Sequence, residues 1–243
     1  MHLSVNEIKS VRSLSSKKFR DESGLFIVEG EKMVDEALHS RFEVVKVYRR
    51  EEVGEETMSR LSQLSTPSPV LAVLRKPAPQ PVKVEKGLYL ALDSIRDPGN
   101  LGTILRIADW FGIKSVVATP DTVEVFNPKV VQATMGAIFR VDFHYTELTS
   151  FARDVLEAGG RVYGTFLDGR NIYSRDLATG ADSPSVIVIG NESNGISDAM
   201  ASLVSDRLYI PPFPEGAQTS ESLNAAVATA VTVAEFRRRI WAK

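Results

Sequence analysis

The chain has 243 residues, 43% apolar and 25% charged, with a net charge of −2 and no cysteine. That composition excludes intrinsic disorder, a disulfide framework and thiolate metal sites, and the near-neutral charge argues against a protein that coats nucleic acid. The length suits two domains; the start, MHLSVNEIKS, lacks the apolar core of a signal peptide, and no run reaches the roughly 18–20 apolar residues that cross a bilayer, so a cytoplasmic protein without a membrane segment is expected.

The balanced total hides a basic start. Lys9, Arg12, Lys17, Lys18 and Arg20 follow one another with no acid between them, and read equally as a solvated helix face or as an RNA contact. Next come an apolar run at 25–28, a helical pattern over 29–39 with Met33, Val34, Ala37 and Leu38 at helical spacing, and a second apolar run at 44–48. This order predicts a small α/β unit over residues 1–75. Five prolines from Pro67 to Pro81 then bracket a short strand, VLAVL, and the stretch 76–86 predicts an interdomain linker, because proline fixes φ and donates no ladder hydrogen bond.

From residue 87 to 243 the pattern becomes repeated strand and helix. Strands are predicted at 88–92, 115–119, 161–166, 186–190 and 207–210, and short, mostly apolar strands alternating with helices indicate a parallel sheet covered on both faces. The last helix is predicted over 222–239, where no Gly or Pro interrupts an alanine-rich run.

Three loops look like more than connectors. In 93–112, Pro98-Gly99 breaks the chain after a strand, Asn100 reads as an N-cap, and Asn100 and Arg106 are not needed for the buried stripe of Ile104, Leu105, Ile107, Ala108 and Phe111. Plain capping and a surface charge account for the pair, as does phosphate binding at a helix N-terminus with an Arg fork. In 186–200, an apolar strand runs into Gly190-Asn191-Glu192, and Ser197 reads as the cap of a short helix. Strand ends of open α/β sheets are where ligands bind, and Gly190 would let a backbone approach a cofactor; a tight turn with a solvated Glu192 is the plainer account. In 208–231, Pro211, Pro212 and Pro214 stiffen a strand exit, Thr219, Ser220 or Glu221 can cap the last helix, and Ser222 and Asn224 fall in its first turn, as redundant caps or as a polar pair facing a ligand.

Together the segments DPGNLGTILRIAD (97–109), VIGNESNGIS (188–197) and YIP…ESLNAAVA (209–228) resemble the three ordered motifs of SpoU-type (TrmH-like) 2′-O-ribose RNA methyltransferases of the SPOUT superfamily. The stretch 6–38 is similar to the small substrate-binding domain that precedes many such catalytic domains. The resemblance implies a C-terminal α/β domain with a parallel sheet and a deep trefoil knot, behind a smaller α/β RNA-binding domain. It also implies S-adenosylmethionine as cofactor, RNA as partner with rRNA favoured over tRNA, and a site completed across a homodimer. Two departures stand out: 211–222 is longer than the usual link, and Ala225 stands where the family commonly has Val.

By the same resemblance Arg106 handles the ribose hydroxyl and its neighbouring phosphate, while Asn100, Glu192, Ser222 and Asn224 organise the site. Backbone groups around Gly190, Ile210 and Leu223, with Ser222 and Thr165, would hold the cofactor. His2, His39 and His144 all lie outside the motifs, so the usual imidazole base is missing. A guanidinium with a pKa above about 12 is a poor base, which leaves Arg106 as a phosphate grip with Glu192 as second candidate for the proton, or Glu192 as a mere orienter of Arg106. No G-x-G-x-x-G follows the first strand of this half and no metal-ligand cluster occurs, so neither a dinucleotide site nor a metal is expected. The rival readings are a non-catalytic RNA-binding protein on this fold and a base-modifying enzyme of the same superfamily.

Overall fold

The structure, a computed structural model, describes residues 3–214, 216–217 and 220–241, without the side chain of Trp241. The chain opens with α1 (Val5–Ser13), α2 (Lys17–Ser23), β1 (Leu25–Glu29), α3 (Glu31–Leu38), β2 (Val44–Arg49), α4 (Arg50–Val53), α5 (Glu55–Leu61) and β3 (Val70–Arg75). It continues through β4 (Gly87–Leu92), α6 (Pro98–Trp110), β5 (Ser115–Ala118), α7 (Pro128–Thr134), β6 (Asp142–Tyr145), α8 (Leu148–Glu157) and β7 (Arg161–Asn171). β8 (Pro184–Ile189), α9 (Asp198–Ala201), β9 (Asp206–Tyr209) and α10 (Ala225–Trp241) complete it. No helix long and apolar enough to cross a membrane occurs among the described residues.

These elements form two compact units. The first takes the chain up to Pro79 together with Glu124–Arg140; the second takes the rest. In the first, β3 lies between β1 and β2 and runs antiparallel to both, pairing Ile27 with Val73 and Val47 with Ala72. Val70 to Leu74 are all buried, as a central strand covered on both faces requires. α1 is capped by Ser4, whose Oγ accepts from the Glu7 N–H at 3.1 Å, and it buries Ile8 and Val11 against Tyr48, Met58, Leu61 and Leu71. α2 stops at Gly24, whose φ of +67° is the left-handed conformation that suits glycine.

The segment Glu124–Arg140 joins this unit through aromatic and ionic contacts. Phe126 lies 4.6 Å from Phe26 and Phe139 5.4 Å from Phe42, between ring centroids. Arg20, one of the basic residues expected at an RNA contact, belongs to this packing instead. Its side chain is 2% exposed, ion-paired to Glu124, and donates to the Leu14 and Ser15 carbonyls at 2.8 Å each. A guanidinium so enclosed is a structural cation and is withdrawn from the RNA-contact set. Lys9, Arg12, Lys17 and Lys18 are exposed, the last two with acidic partners one helical turn on, Asp21 and Glu22.

The second unit is built on a parallel sheet with strand order β6-β5-β4-β8-β7-β9. β8 is buried at every residue, and β4 at all but Gly87. The order grows outward from β4 to β6, then the chain crosses to β7 and returns with β8 inserted between β7 and β4. The two halves therefore meet at β4 and β8, where Leu92 pairs with Ile189, and in open parallel sheets that reversal opens a crevice at the strand ends. α10 packs on α6, and Phe236 sets its ring edge-on to Tyr163 at 5.0 Å. Residues 76–86 carry no regular element, but Val82 and Val84 pack on the core of this unit and the Glu85 N–H donates to the Tyr89 hydroxyl at 2.9 Å.

β6 was not predicted, because Asp142 and His144 interrupt any apolar run in DFHY. α10 begins at Ala225, three residues later than the pattern suggests.

Removing the Arg20 side chain leaves Glu124, whose side chain is 10% exposed, with Lys76 as its one ion-pair partner among the described residues. Arg20→Ala is expected to lower stability by about 3 kcal/mol in urea melts. A loss below about 1 kcal/mol, the range of exposed pairs, would show that Lys76 alone neutralises this carboxylate.

Candidate active site

The site begins where β4 ends. Asp93, 4% exposed, continues the ladder by donating its N–H to the Ile189 carbonyl, and its carboxylate then accepts from both the N–H and the Oγ of Ser197, at 2.8 and 2.7 Å. Ser94 takes a φ of +61°, unusual for a side-chain-bearing residue, and is held there by three bonds. Its N–H donates to Thr119 Oγ1, its Oγ to Asp121, and its carbonyl accepts from Asn191 Nδ2. The Thr119 hydroxyl, and after it that of Ser94, holds the Asp121 carboxyl below the usual carboxylate range.

The cap of α6 is Asp97, not Asn100. Asp97 Oδ1 accepts from the Asn100 N–H at 2.8 Å and Pro98 occupies the first turn, where its missing N–H costs nothing. Relieved of capping, the Asn100 side chain is 9% exposed and joins two distant loops. Its Nδ2 donates to Glu192 Oε1, and its Oδ1 accepts from Asn224 Nδ2 at 2.8 Å.

Asn224 is itself the cap of α10, its Oδ1 accepting from the Ala226 and Val227 N–H groups at 2.9 and 3.3 Å. Neither Ser220 nor Glu221 takes that role, and Thr219, like His2, lies outside the described residues. Ser222 and Leu223 thus fall in the segment before the helix and are exposed, Leu223 at 47%.

The Glu192 loop is a small closed turn. Asn191 and Gly195 exchange backbone hydrogen bonds at 3.0 and 2.8 Å, and Asn191 Oδ1 accepts from the Ser193 and Asn194 N–H groups. Gly190 has a reason different from the expected one. A Cβ there would stand 2.3 Å from the Gly195 carbonyl carbon and 2.4 Å from the Ile196 nitrogen, so the backbone it admits is the protein's own. Ser197 donates its hydroxyl to Asp93 and accepts no N–H from α9, which it precedes without a side-chain cap bond.

Arg106 stands apart. It is six residues beyond Asn100, roughly 9 Å along α6 and about 120° round it. The guanidinium is exposed and forms no hydrogen bond or ion pair among the described residues. Of the five residues assigned to the chemistry, the structure joins Asn100, Glu192 and Asn224, leaves Ser222 beside them in sequence, and keeps Arg106 free on another face.

Of the residues expected around the cofactor, Thr165, Gly190 and Ile210 belong to three neighbouring strands, Thr165 within β7 and the other two just beyond β8 and β9. Thr165 pairs with Leu208, Gly164 pairs with Val188, and Gly190 and Ile210 are one step past the ends of β8 and β9. Thr165 Oγ1 donates to the Val188 carbonyl at 3.5 Å. Thr165, Gly190 and Ile210 are half-buried, while Leu223 and Phe213 are exposed, the latter at 96%. Strand-end backbone groups beside apolar surface fit an adenosine, which needs amide hydrogen bonds and a nonpolar face. No group of three or more metal-ligating side chains occurs among the described residues.

Sequence reasoning missed Asp93, Asp97 and Asn191. Asp93 had a readable signal, an acid directly behind an apolar strand, which is rarely buried without partners.

A parallel α/β sheet with polar loops converging where its strand order reverses defines a ligand-binding α/β domain. Residues 87–234 match the SpoU rRNA Methylase family, and 6–53 match the MRM3-like substrate binding domain. The chain belongs to the SpoU rRNA methylase family. It is 29% identical over 246 residues to the 23S rRNA (guanosine(2553)-2′-O)-methyltransferase RlmP of Bacillus subtilis, covering 95% of this chain and 96% of that one. A TrmH-family protein of Porphyromonas gingivalis superposes with a TM-score of 0.88 at 38% identity, over 98% of this chain and 99% of that one. The AdoMet-bound rRNA methyltransferase of Sinorhizobium meliloti gives 0.87 at 29% identity, over 99% and 98%.

An Asn100→Asp substitution keeps the shape but turns the Nδ2 donor into a carboxylate oxygen facing Glu192. Like charges so placed raise a carboxyl pKa in the folded state, so the penalty is full above that pKa and relieved as pH falls through it. The variant is expected to be about 1–3 kcal/mol less stable than Asn100→Ala near pH 8, with the gap narrowing toward pH 5 in paired urea melts. A gap independent of pH would show that position 100 does not face Glu192.

Proposed function

We propose that this protein transfers the methyl group of S-adenosylmethionine to a ribose 2′-hydroxyl of ribosomal RNA. The observation that carries the reading is the Asn100 bridge, which ties together side chains from all three motif loops inside a domain of the SpoU rRNA methylase family. The rRNA target follows the names of relatives that match the whole chain, RlmP among them.

The cofactor supplies a methyl carbon on a positively charged sulfonium. What the chain must add is alignment, a grip on the RNA and somewhere for the hydroxyl proton to go. Thr165, Gly190, Ile210, Ser222 and Leu223 hold the cofactor. Arg106, with no partner among the described residues, grips the phosphate beside the target ribose in a bidentate fork. Glu192 is the proton acceptor: Asn100 occupies one of its oxygens, and the other has no partner among the described residues. Arg106 does not touch Glu192, so orientation of Arg106 within one chain is not its task.

The functional form is a cytoplasmic homodimer. Arg106 and Trp110 lie one helical turn apart on one exposed face of α6, with Trp110 85% exposed; Leu223 just before α10 and Val227 in its first turn are 47% and 49% exposed. A second copy covering this apolar surface would present its own Arg106 to the Asn100 cluster. The first unit binds the RNA through Lys9, Arg12, Lys17 and Lys18, and residues 87–243 carry the catalytic groups apart from the segment Glu124–Arg140, which packs with the first unit.

Labelled S-adenosylmethionine incubated with separate rRNA and tRNA pools should label rRNA at alkali-resistant linkages; label on a base, or on no RNA, would overturn the reading. Arg106→Ala is expected to reduce transfer about a hundredfold or more while sparing cofactor binding by calorimetry. Equal loss of both would place Arg106 in the cofactor pocket.

A further inference from the structure

At the opposite edge of the parallel sheet, where β4, β5 and β6 begin, lies a cavity of about 530 Å³. With β4 six residues long, it stands roughly 20 Å from the Asn100 cluster. Arg237 of α10 forms part of its wall, donating to the Phe111 carbonyl at 2.8 Å and the Gly112 carbonyl at 3.3 Å. It forms no ion pair among the described residues, and burial pushes its pKa below the usual guanidinium range with no acid to offset it. Lys83, Lys86 and Lys114 line the same space and likewise form no ion pair among the described residues. Against these four cations the wall offers two carboxylates, Glu85 and Asp142.

Cations gathered around a half-enclosed space repel one another unless an anion sits among them, and low-dielectric walls strengthen their pull on one. Arg237 has its Nε and one terminal nitrogen committed to carbonyls, which fixes the guanidinium plane and leaves the other terminal nitrogen for a ligand. The floor is rigid as well. Gly180, at a φ of +87°, runs so close to β4 that a Cβ would stand 2.5 Å from the Gly87 carbonyl carbon. The volume is in the range of small-ligand sites, large enough for a nucleotide and more than inorganic phosphate needs.

We propose that this cavity binds a nucleotide through its phosphate, held by Arg237, Lys86 and Lys114. The phosphate belongs either to a free mononucleotide or to a nucleotide of an RNA chain. The site rests on the charges around the cavity and not on the methyl-transfer reading, and its distance from the Asn100 cluster lets both be filled together.

The test uses the full chain saturated with S-adenosylhomocysteine, so that the strand-end pocket is filled, and titrates guanosine 5′-monophosphate and guanosine by calorimetry at low salt. The monophosphate should saturate in the micromolar to low millimolar range, with guanosine at least about tenfold weaker. Lys86→Gln with Lys114→Gln, which leaves the carbonyl bonds of Arg237 in place, should weaken the monophosphate by about tenfold or more and leave S-adenosylhomocysteine affinity unchanged. Displacement of the monophosphate by a short single-stranded RNA assigns the site to an RNA chain; saturation without displacement assigns it to a free nucleotide. Equal affinity in the double variant, equal affinity for guanosine, or no saturable binding overturns the proposal, and none of these outcomes bears on methyl transfer.

Discussion

One buried primary amide organises the site. The two ends of Asn100 differ chemically, a donor and an acceptor, and each has its own partner: the Glu192 carboxylate and the Asn224 amide. No other small side chain does both at that size, since a carboxylate would repel Glu192 and an apolar group would leave both partners unsatisfied. The arrangement is stiff because each participant is anchored again. Asp97 caps the helix that carries Asn100, Asn224 caps α10 with the oxygen that Asn100 does not use, and Asp93 clamps the Glu192 loop through Ser197. Loops from three well-separated stretches of chain thus meet at side-chain hydrogen bonds, and Asn224 starts a helix with the same amide that binds Asn100.

This double duty explains what could and could not be read from the sequence. Apolar strand runs located all the central strands, because a strand covered on both faces needs no polar residue; β6, at the edge with Asp142 and His144 in it, carried no such signature. Asn100 reads as a polar residue at a helix start, yet the cap is Asp97, three residues before it. Capping preference alone cannot separate these two, since both residue types cap well and only the tertiary partner decides. The order of the three motifs pointed to Asn100, Glu192 and Asn224 as a group. That Arg106 stands away from them follows from the pitch of α6, and spacing alone did not reveal what it faces.

Arg20 shows the same limit from the opposite side. Within a basic stretch it resembles its neighbours Lys17 and Lys18 in every local respect. Its burial depends on Glu124, more than a hundred residues later, and on two carbonyls at the end of α1. Nothing in the pattern of the first twenty residues distinguishes a cation meant for a distant carboxylate from one meant for solvent. Arginine suits the enclosed role because its planar fork satisfies a carboxylate and two carbonyls at once, which a lysine ammonium on its single stem does less well.

The segment Glu124–Arg140 also changes what kind of object the first unit is. It is not a bead threaded at the start of the chain, because Phe126 and Phe139 contribute aromatic faces to its core from the middle of the sequence. Cutting once after Pro79 would leave the remaining polypeptide with Phe126, Phe139 and Glu124 stripped of their partners, an apolar and charged flap prone to aggregate. The reverse fragment would lack part of its own interior. The boundary seen in the sequence is thus a change in composition, and not a place at which the molecule comes apart.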